Sequence, residues 1–196
     1  ISEQPDYLAS ISKRAEPFLY LVVSEVEKEE MPIEIALLPI VESDYYPFSY
    51  SHGTATGIWQ FIPSTGRMYG LDEDWWHEDR RDVLASTKAA VQYLKDLNQM
   101  FDGDWLLSIA AYNAGPGRVQ RAIDNNIKQG KKIDYWSLDL PKETEKYVPK
   151  LLALAKVLKD PARFNQKLTM IKNKPYLEPV KLQSQFDLAL IAQWTN

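Results

Sequence analysis

The chain has 196 residues, a formal net charge of −4 from 27 acidic and 23 basic side chains, no cysteine, and a high content of six Trp and eleven Tyr. That length predicts one domain with a core large enough to fold unaided, with room for a short appendage. The missing cysteines exclude disulfide scaffolds, thiol nucleophiles, iron–sulfur clusters and cysteine-ligated zinc, and the acidic balance without any Lys/Arg run argues against nucleic acid as a partner.

Most of the chain reads as helix. Ile11, Ala15, Phe18, Leu19, Val22 and Val26 recur at spacings of three and four, which predicts an amphipathic helix over 11–26 that Pro17 breaks or starts. A second helix is expected from Pro32 to Glu42, apolar almost all round and therefore buried, with a kink from Pro39 just before Glu42. Residues 43–83 crowd Gly, Pro, Ser, Thr and aromatics together and allow only short helices around Trp59–Phe61 and Ser64–Tyr69. A long irregular stretch of that kind inside a domain points to function. Helical periodicity returns over 86–100, over 104–112 with Asp104 as N-cap, over 118–129 and over 143–159. Beyond Pro161 the chain turns basic and loop-like, then alternates as a short strand over 176–182 before a final helix over 186–194. The expected organisation is a mainly α domain over 1–160 and a linker with a strand-helix extension over 161–196. No apolar run reaches the roughly 18 residues of a membrane span, and the chain starts at Ile1 without a signal-peptide pattern, so a removed upstream segment is expected.

Glu42 is the sharpest candidate for chemistry. It follows Leu37, Leu38, Ile40 and Val41 at the end of an apolar helix, where loss of water would raise a carboxyl pKa towards neutrality. An acid protonated at neutral pH can protonate the leaving oxygen of a glycosidic bond. The plain alternative is a solvated helix-end glutamate. Asp44 is the rival carboxylate, expected to cap the helix end or face solvent, and a water-activating role for it would make the cleavage a hydrolysis.

His52 and His77 are the only histidines, and His77-Glu78-Asp79-Arg80-Arg81 has Arg where a zincin motif needs its second His, so no catalytic metal is expected. Asp72, Asp74, Glu78 and Asp79 lack the Gly and terminal Glu spacing of an EF-hand loop and read as a solvated acidic loop. Trp75 and Trp76 are expected to bury, one or both, under that loop. Trp59, Tyr45 and Tyr46, which flank the candidate residues in sequence, are expected to line a groove.

Four short signatures follow one another: Glu42-Ser43 after the apolar helix, Gly57-Ile58-Trp59-Gln60, Ala111-Tyr112-Asn113-Ala114-Gly115, and Glu143-Thr144-x-x-Tyr147. In this order they resemble the family 1 lytic transglycosylases, lysozyme-like enzymes that cut bacterial peptidoglycan. The runs 38–43 and 57–66 look most like the membrane-bound D subgroup, and the resemblance covers about residues 5–160. It implies a lysozyme-like fold, no cofactor, and Glu42 as the sole catalytic acid/base. It also implies Ser51, Gln60, Tyr112, Asn113 and Tyr147 as substrate-binding residues, with Tyr147 reaching back to the catalytic carboxyl. Many relatives have Gly where this chain has Thr54, a departure the D subgroup tolerates. The implied partner is the glycan strand, acted on by a periplasmic monomer tethered to the outer membrane through an upstream lipidated cysteine. A catalytically idle peptidoglycan-binding scaffold is the alternative of another class. Val180-Lys181-Leu182 and Leu188-x-x-Ile191-Ala192 resemble the start of a LysM module, against the equal alternative of a tail packed on the domain.

Overall fold

The computed structural model describes residues 6–51, 53–178, 180 and 187–195. The predicted first helix is two. Helix α1, Tyr7–Ala15, buries Leu8, Ile11, Ser12 and Ala15. The chain then turns at Glu16–Phe18, because Pro17 has no N–H to continue the ladder. Helix α2, Leu19–Lys28, buries Val22 and Val26.

The expected 32–42 helix also divides, and at a different place. Residues Ile33–Leu37 wind as a 3₁₀ turn, and α3 spans only Leu38–Ser43. Pro39 therefore lies in the first turn of α3, where its missing N–H is no loss, rather than inside a longer helix. Helix α3 ends abruptly because Asp44 and Tyr45 both adopt left-handed conformations, with φ of 52° and 60°. Such a conformation costs a residue with a Cβ about 1–2 kcal/mol. The completely buried Tyr45 ring and its 2.8 Å hydrogen bond to the Ala36 carbonyl offset part of that cost.

Residues 46–51 and 53–82 are irregular apart from α4, Pro63–Met68, and isolated antiparallel bridges joining Tyr50 to Thr56, Thr56 to Phe61 and Glu73 to Glu78. The buried Arg80 staples this stretch. Its guanidinium donates to the carbonyls of Thr54 (3.0 Å) and Phe61 (3.2 Å) and pairs with Glu73 (2.8 Å) and Glu78 (2.7 Å). Gly57 is required beside it: its φ is +80°, and a Cβ there would sit 1.9 Å from the Arg80 carbonyl oxygen.

Helix α5, Val83–Met100, is capped by the Asp82 carboxylate, which accepts from the Ala85 N–H. Helix α6, Trp105–Ala114, is capped by Asp104 as expected, buries five consecutive residues from Leu107 to Ala111, and packs against α5, α7 and α8. A helix apolar all round is the central helix of such a core. Helix α7 spans Pro116–Lys128, and α8, Lys142–Lys159, packs on α3, on the 3₁₀ turn before it and on α6. Residues 160–178 are irregular apart from a 3₁₀ turn at Ala162–Phe164, and Phe164 and Ile171 rest on the helical core. The expected strand over 176–182 does not form at 176–178 or 180, while Lys181 and Leu182 lie outside the described residues, as does His52. A last helix, α9, spans Leu188–Thr195.

Candidate active site

A cleft of about 660 Å³ opens where α3, the 51–62 segment, α5, α6 and α8 converge. Glu42 reaches it from the last turn of α3, whose Leu38 and Ile40 are anchored in the core. Burial pushes the Glu42 pKa up to about 7; the Tyr147 hydrogen bond opposes the rise, the neighbouring Glu143 charge adds to it, and the Lys150 ammonium again opposes it. Burial wins, and the carboxyl is half-protonated near neutrality.

Tyr147, buried on α8, donates its hydroxyl to Glu42 Oε1. Its own phenol pKa is raised well above the usual value, first by burial and then by the Glu42 carboxylate, so it stays a donor. The contact joins residues 105 positions apart and makes α8 the partner that orients the acid. Ser43, next to Glu42, donates to the Ile58 carbonyl at 2.9 Å and so ties the end of α3 to the 57–61 loop.

The other implied residues converge on the same cleft. Gln60 holds φ at 52° and donates Nε2 to the Gly57 carbonyl at 2.8 Å, which closes its own turn. Ser51 lines the cleft and accepts from the Ala55 N–H through Oγ at 3.2 Å. Tyr112 presents its ring to the cleft while its hydroxyl donates to the Trp59 carbonyl at 2.8 Å. Asn113 bridges two helices, accepting from Thr144 Oγ1 at 2.8 Å and donating to Glu143 Oε1 at 3.3 Å.

Two expected groove residues belong to the core instead. Trp59 is completely buried and donates Nε1 to Thr87 Oγ1 at 2.9 Å, so its indole cannot meet a ligand. Tyr45 is buried beneath α3 because the paired left-handed residues turn the chain inward immediately after Glu42. Tyr46 is exposed, packs edge-on against Phe48 and does not line the cleft. Trp75 and Trp76 depart in the opposite sense, each 90% exposed. The Glu73–Glu78 bridge makes a short hairpin whose base Arg80 holds, and among the described residues no element covers its tip.

Asp44 is turned away from the cleft. Its carboxylate accepts from Tyr7 at 2.6 Å and pairs with Arg14 at 3.7 Å, and Arg14 also donates to its carbonyl. His77 pairs with Asp79 at 3.1 Å on the acidic loop. Sequence reasoning gave no site role to Phe61 and Glu143, which it met only within motifs, or to Tyr93, Lys146 and Lys150, yet all five line the cleft. For the last three a signal existed: with Tyr147 they occupy i, i+3, i+4 and i+7, one face of a helix.

The family described as the transglycosylase SLT domain matches residues 22–135. The chain is 50% identical over 186 residues to the membrane-bound lytic murein transglycosylase D of Escherichia coli K12, covering 95% of this chain and 41% of that protein. It is 48% identical over 114 residues to a putative tributyltin chloride resistance protein of Alteromonas sp. strain M-1, covering 58% of this chain and 55% of the relative. In three dimensions it resembles the 70 kDa soluble lytic transglycosylase of Escherichia coli, with a TM-score of 0.53, 26% identity, and coverage of 68% of this chain and 22% of that one. The lytic transglycosylase Slt of Pseudomonas aeruginosa, also with a TM-score of 0.53 at 22% identity, covers 74% of this chain and 24% of its own and shares the fold. The chain thus spans less than two thirds of each of these proteins. With a matched segment that carries the acid, the 57–66 loop and α6, the chain belongs to the SLT transglycosylase family.

Proposed function

We propose that this chain is the catalytic unit of a lytic transglycosylase that cleaves the β-1,4 bond between N-acetylmuramic acid and N-acetylglucosamine in peptidoglycan, with Glu42 as its single acid/base. The observation that carries the reading is the Glu42 carboxyl, placed in the cleft at the end of an anchored helix and held by the Tyr147 hydroxyl; burial, which raises its pKa, agrees with it. Protonated Glu42 donates its proton to the glycosidic oxygen as the bond to the muramyl C1 breaks, a step that needs a carboxylic acid near neutral pH. The muramyl acetamido group supports the developing oxocarbenium charge. Glu42, now a carboxylate, takes the proton of the same sugar's C6 hydroxyl as that oxygen attacks C1 and closes a 1,6-anhydro ring. Because the nucleophile is already attached to the substrate, proximity replaces a second carboxylate. The engagement of Asp44 with Tyr7 and Arg14, away from the cleft, supports a one-carboxylate reaction.

The catalytic unit is proposed as residues 1–160, a monomer acting in the periplasm where its substrate lies, with 161–196 as a linker and C-terminal extension that either begins a LysM-like module or packs as a tail on the domain. The name of the Escherichia coli relative supports a membrane association, proposed here as an outer-membrane tether. Among the described residues no helix is long and apolar enough to cross a membrane.

The test is digestion of purified peptidoglycan followed by product analysis. Ends of 1,6-anhydromuramic acid are expected, and they should vanish in a folded Glu42→Gln protein. Reducing muramic acid ends would replace the proposal with a hydrolytic muramidase. Binding without turnover by the unmodified chain would leave an idle scaffold.

A further inference from the structure

Apart from Glu42 itself, the charges of the cleft lie on one side. Ser51, Gln60, Phe61, Thr65, Tyr93 and Tyr112 bring no ionisable group that is charged at neutral pH, whereas α8 contributes Glu143, Lys146 and Lys150. Lys146 and Lys150 stand one helical turn apart, roughly 6 Å along the axis, on the two sides of Tyr147, the residue that holds Glu42. The Lys150 ammonium lies 3.4 Å from the Val41 carbonyl, beside the acid's own peptide. Among the described residues neither lysine forms an ion pair, and the carboxylate on the stripe, Glu143, accepts a hydrogen bond from Asn113 Nδ2 at 3.3 Å. Two exposed cations outside any ion pair therefore lie beside the reacting carboxyl, whose pKa the Lys150 charge lowers.

A glycan backbone of N-acetyl sugars is uncharged and offers such a pair only neutral hydrogen-bond acceptors. The negative charge that peptidoglycan brings close to the scissile bond hangs from the lactyl ether of muramic acid. It is the lactyl carboxylate itself on stripped strands, or the carboxylates of the peptide stem where a stem is attached. Resting on the transglycosylase reading above, we propose that Lys146 and Lys150 form a carboxylate-reading rail that selects strands bearing anionic substituents on muramic acid and sets that sugar in the cleft beside Glu42. Ammonium–carboxylate contacts at a partly enclosed cleft are charge-assisted hydrogen bonds, and they weaken as salt screens them.

The experiment measures binding in the Glu42→Gln background, so that strands stay intact, with and without the further pair Lys146→Gln and Lys150→Gln. The probes are sacculi with intact stems, amidase-stripped glycan strands carrying free lactyl carboxylates, and both materials after carbodiimide coupling of their carboxylates to methylamine. The lysine pair is expected to strengthen binding roughly tenfold to at least one carboxylate-bearing probe, with no difference on the amidated counterpart and with the advantage shrinking at high salt. A loss confined to stripped strands assigns the rail to the lactyl carboxylate, and one confined to intact sacculi assigns it to the stem. Equal binding by both proteins on every probe, or an equal loss on native and amidated material, overturns the rail. Strand cleavage by the unsubstituted chain is followed separately. Cleavage with lysine-independent binding sinks the rail alone, and carboxylate-dependent binding without cleavage sinks the catalytic reading while the rail stands.

Discussion

Replacing Glu42 by Gln separates what the buried acid does for chemistry from what it does to the fold. Burial raises its pKa from 4.5 to about 7, so between those values the folded chain holds a proton that the unfolded chain has released. Stability contributed by this group is therefore complete below the unfolded value and is lost as pH rises through the folded one. At about 1.36 kcal/mol per unit, the full penalty above neutrality is about 3 kcal/mol, most of it incurred between about pH 5 and about pH 8. Glutamine never ionises, and its Oε1 can still accept from Tyr147. Urea unfolding followed by tryptophan fluorescence should find the two proteins within about 1 kcal/mol near pH 5, with the variant more stable by about 3 kcal/mol near pH 8. A stability difference that stays the same at both pH values would refute the buried, protonated acid.

The remaining expectations concern the same wall of the cleft and the loop beside it. Glu143 is the second carboxylate of the cleft, and its charge helps raise the Glu42 pKa. A Glu143→Gln protein should retain turnover while the pH at which kcat/KM falls moves downward; loss as complete as in Glu42→Gln would make it a second catalytic carboxylate. Tyr147→Phe removes the hydrogen bond that lowers the Glu42 pKa. It should cut kcat by roughly one to two orders of magnitude and move the fall of the pH–rate profile upward, as a rate series on peptidoglycan would measure. Trp75→Ala combined with Trp76→Ala removes two fully displayed indoles. The change in unfolding free energy should stay within about 0.5 kcal/mol, checked by urea denaturation.

What the sequence discloses about this site depends on whether the information is periodic or directional. The helices α5 to α8 are legible because their apolar residues repeat over many turns, and Asp104 marks the start of α6 by its own cap chemistry. The break at Pro17 is legible as one of two readings, since proline lacks the N–H, but the division at Leu37–Leu38 is not, because an apolar run of a few residues fits a 3₁₀ turn as well as an α-helix. Nearness in sequence misled at Tyr45 and Trp59. Both are close to cleft residues along the chain, yet a left-handed turn after Glu42 and a hydrogen bond to Thr87 direct their rings inward. The opposite error at Trp75 and Trp76 follows from treating large apolar side chains as buried by default, when the exposed tip of a hairpin offers them nothing to pack on. The α8 lysines and Glu143 were within reach, since helical spacing from Tyr147 places them on its face.

Backbone strain gathers around the acid, and it gives meaning to the one departure noted in the motifs. Asp44, Tyr45, Thr54 and Gln60 all hold positive φ, between 52° and 65°. Tyr45 is compensated by core burial and Gln60 by its bond to Gly57, but the Thr54 side chain is exposed and no hydrogen bond to its hydroxyl is present among the described residues. What holds Thr54 is its backbone: its N–H donates to the Ser51 carbonyl and its own carbonyl accepts from Arg80. Glycine, the residue many relatives carry at this position, would keep both bonds. It would remove about 1–2 kcal/mol of left-handed strain, against about 0.5–1 kcal/mol for the extra freedom of an unfolded glycine. Thr54→Gly should therefore stabilise the chain by about 0.5–1 kcal/mol, measured by urea denaturation, with peptidoglycan turnover unchanged. Destabilisation would mean that the threonine side chain supports the 51–61 turn through contacts its exposure does not suggest. Unchanged stability with altered turnover would mean that the strain at Thr54 helps to position Ser51 and Gln60 rather than merely being tolerated.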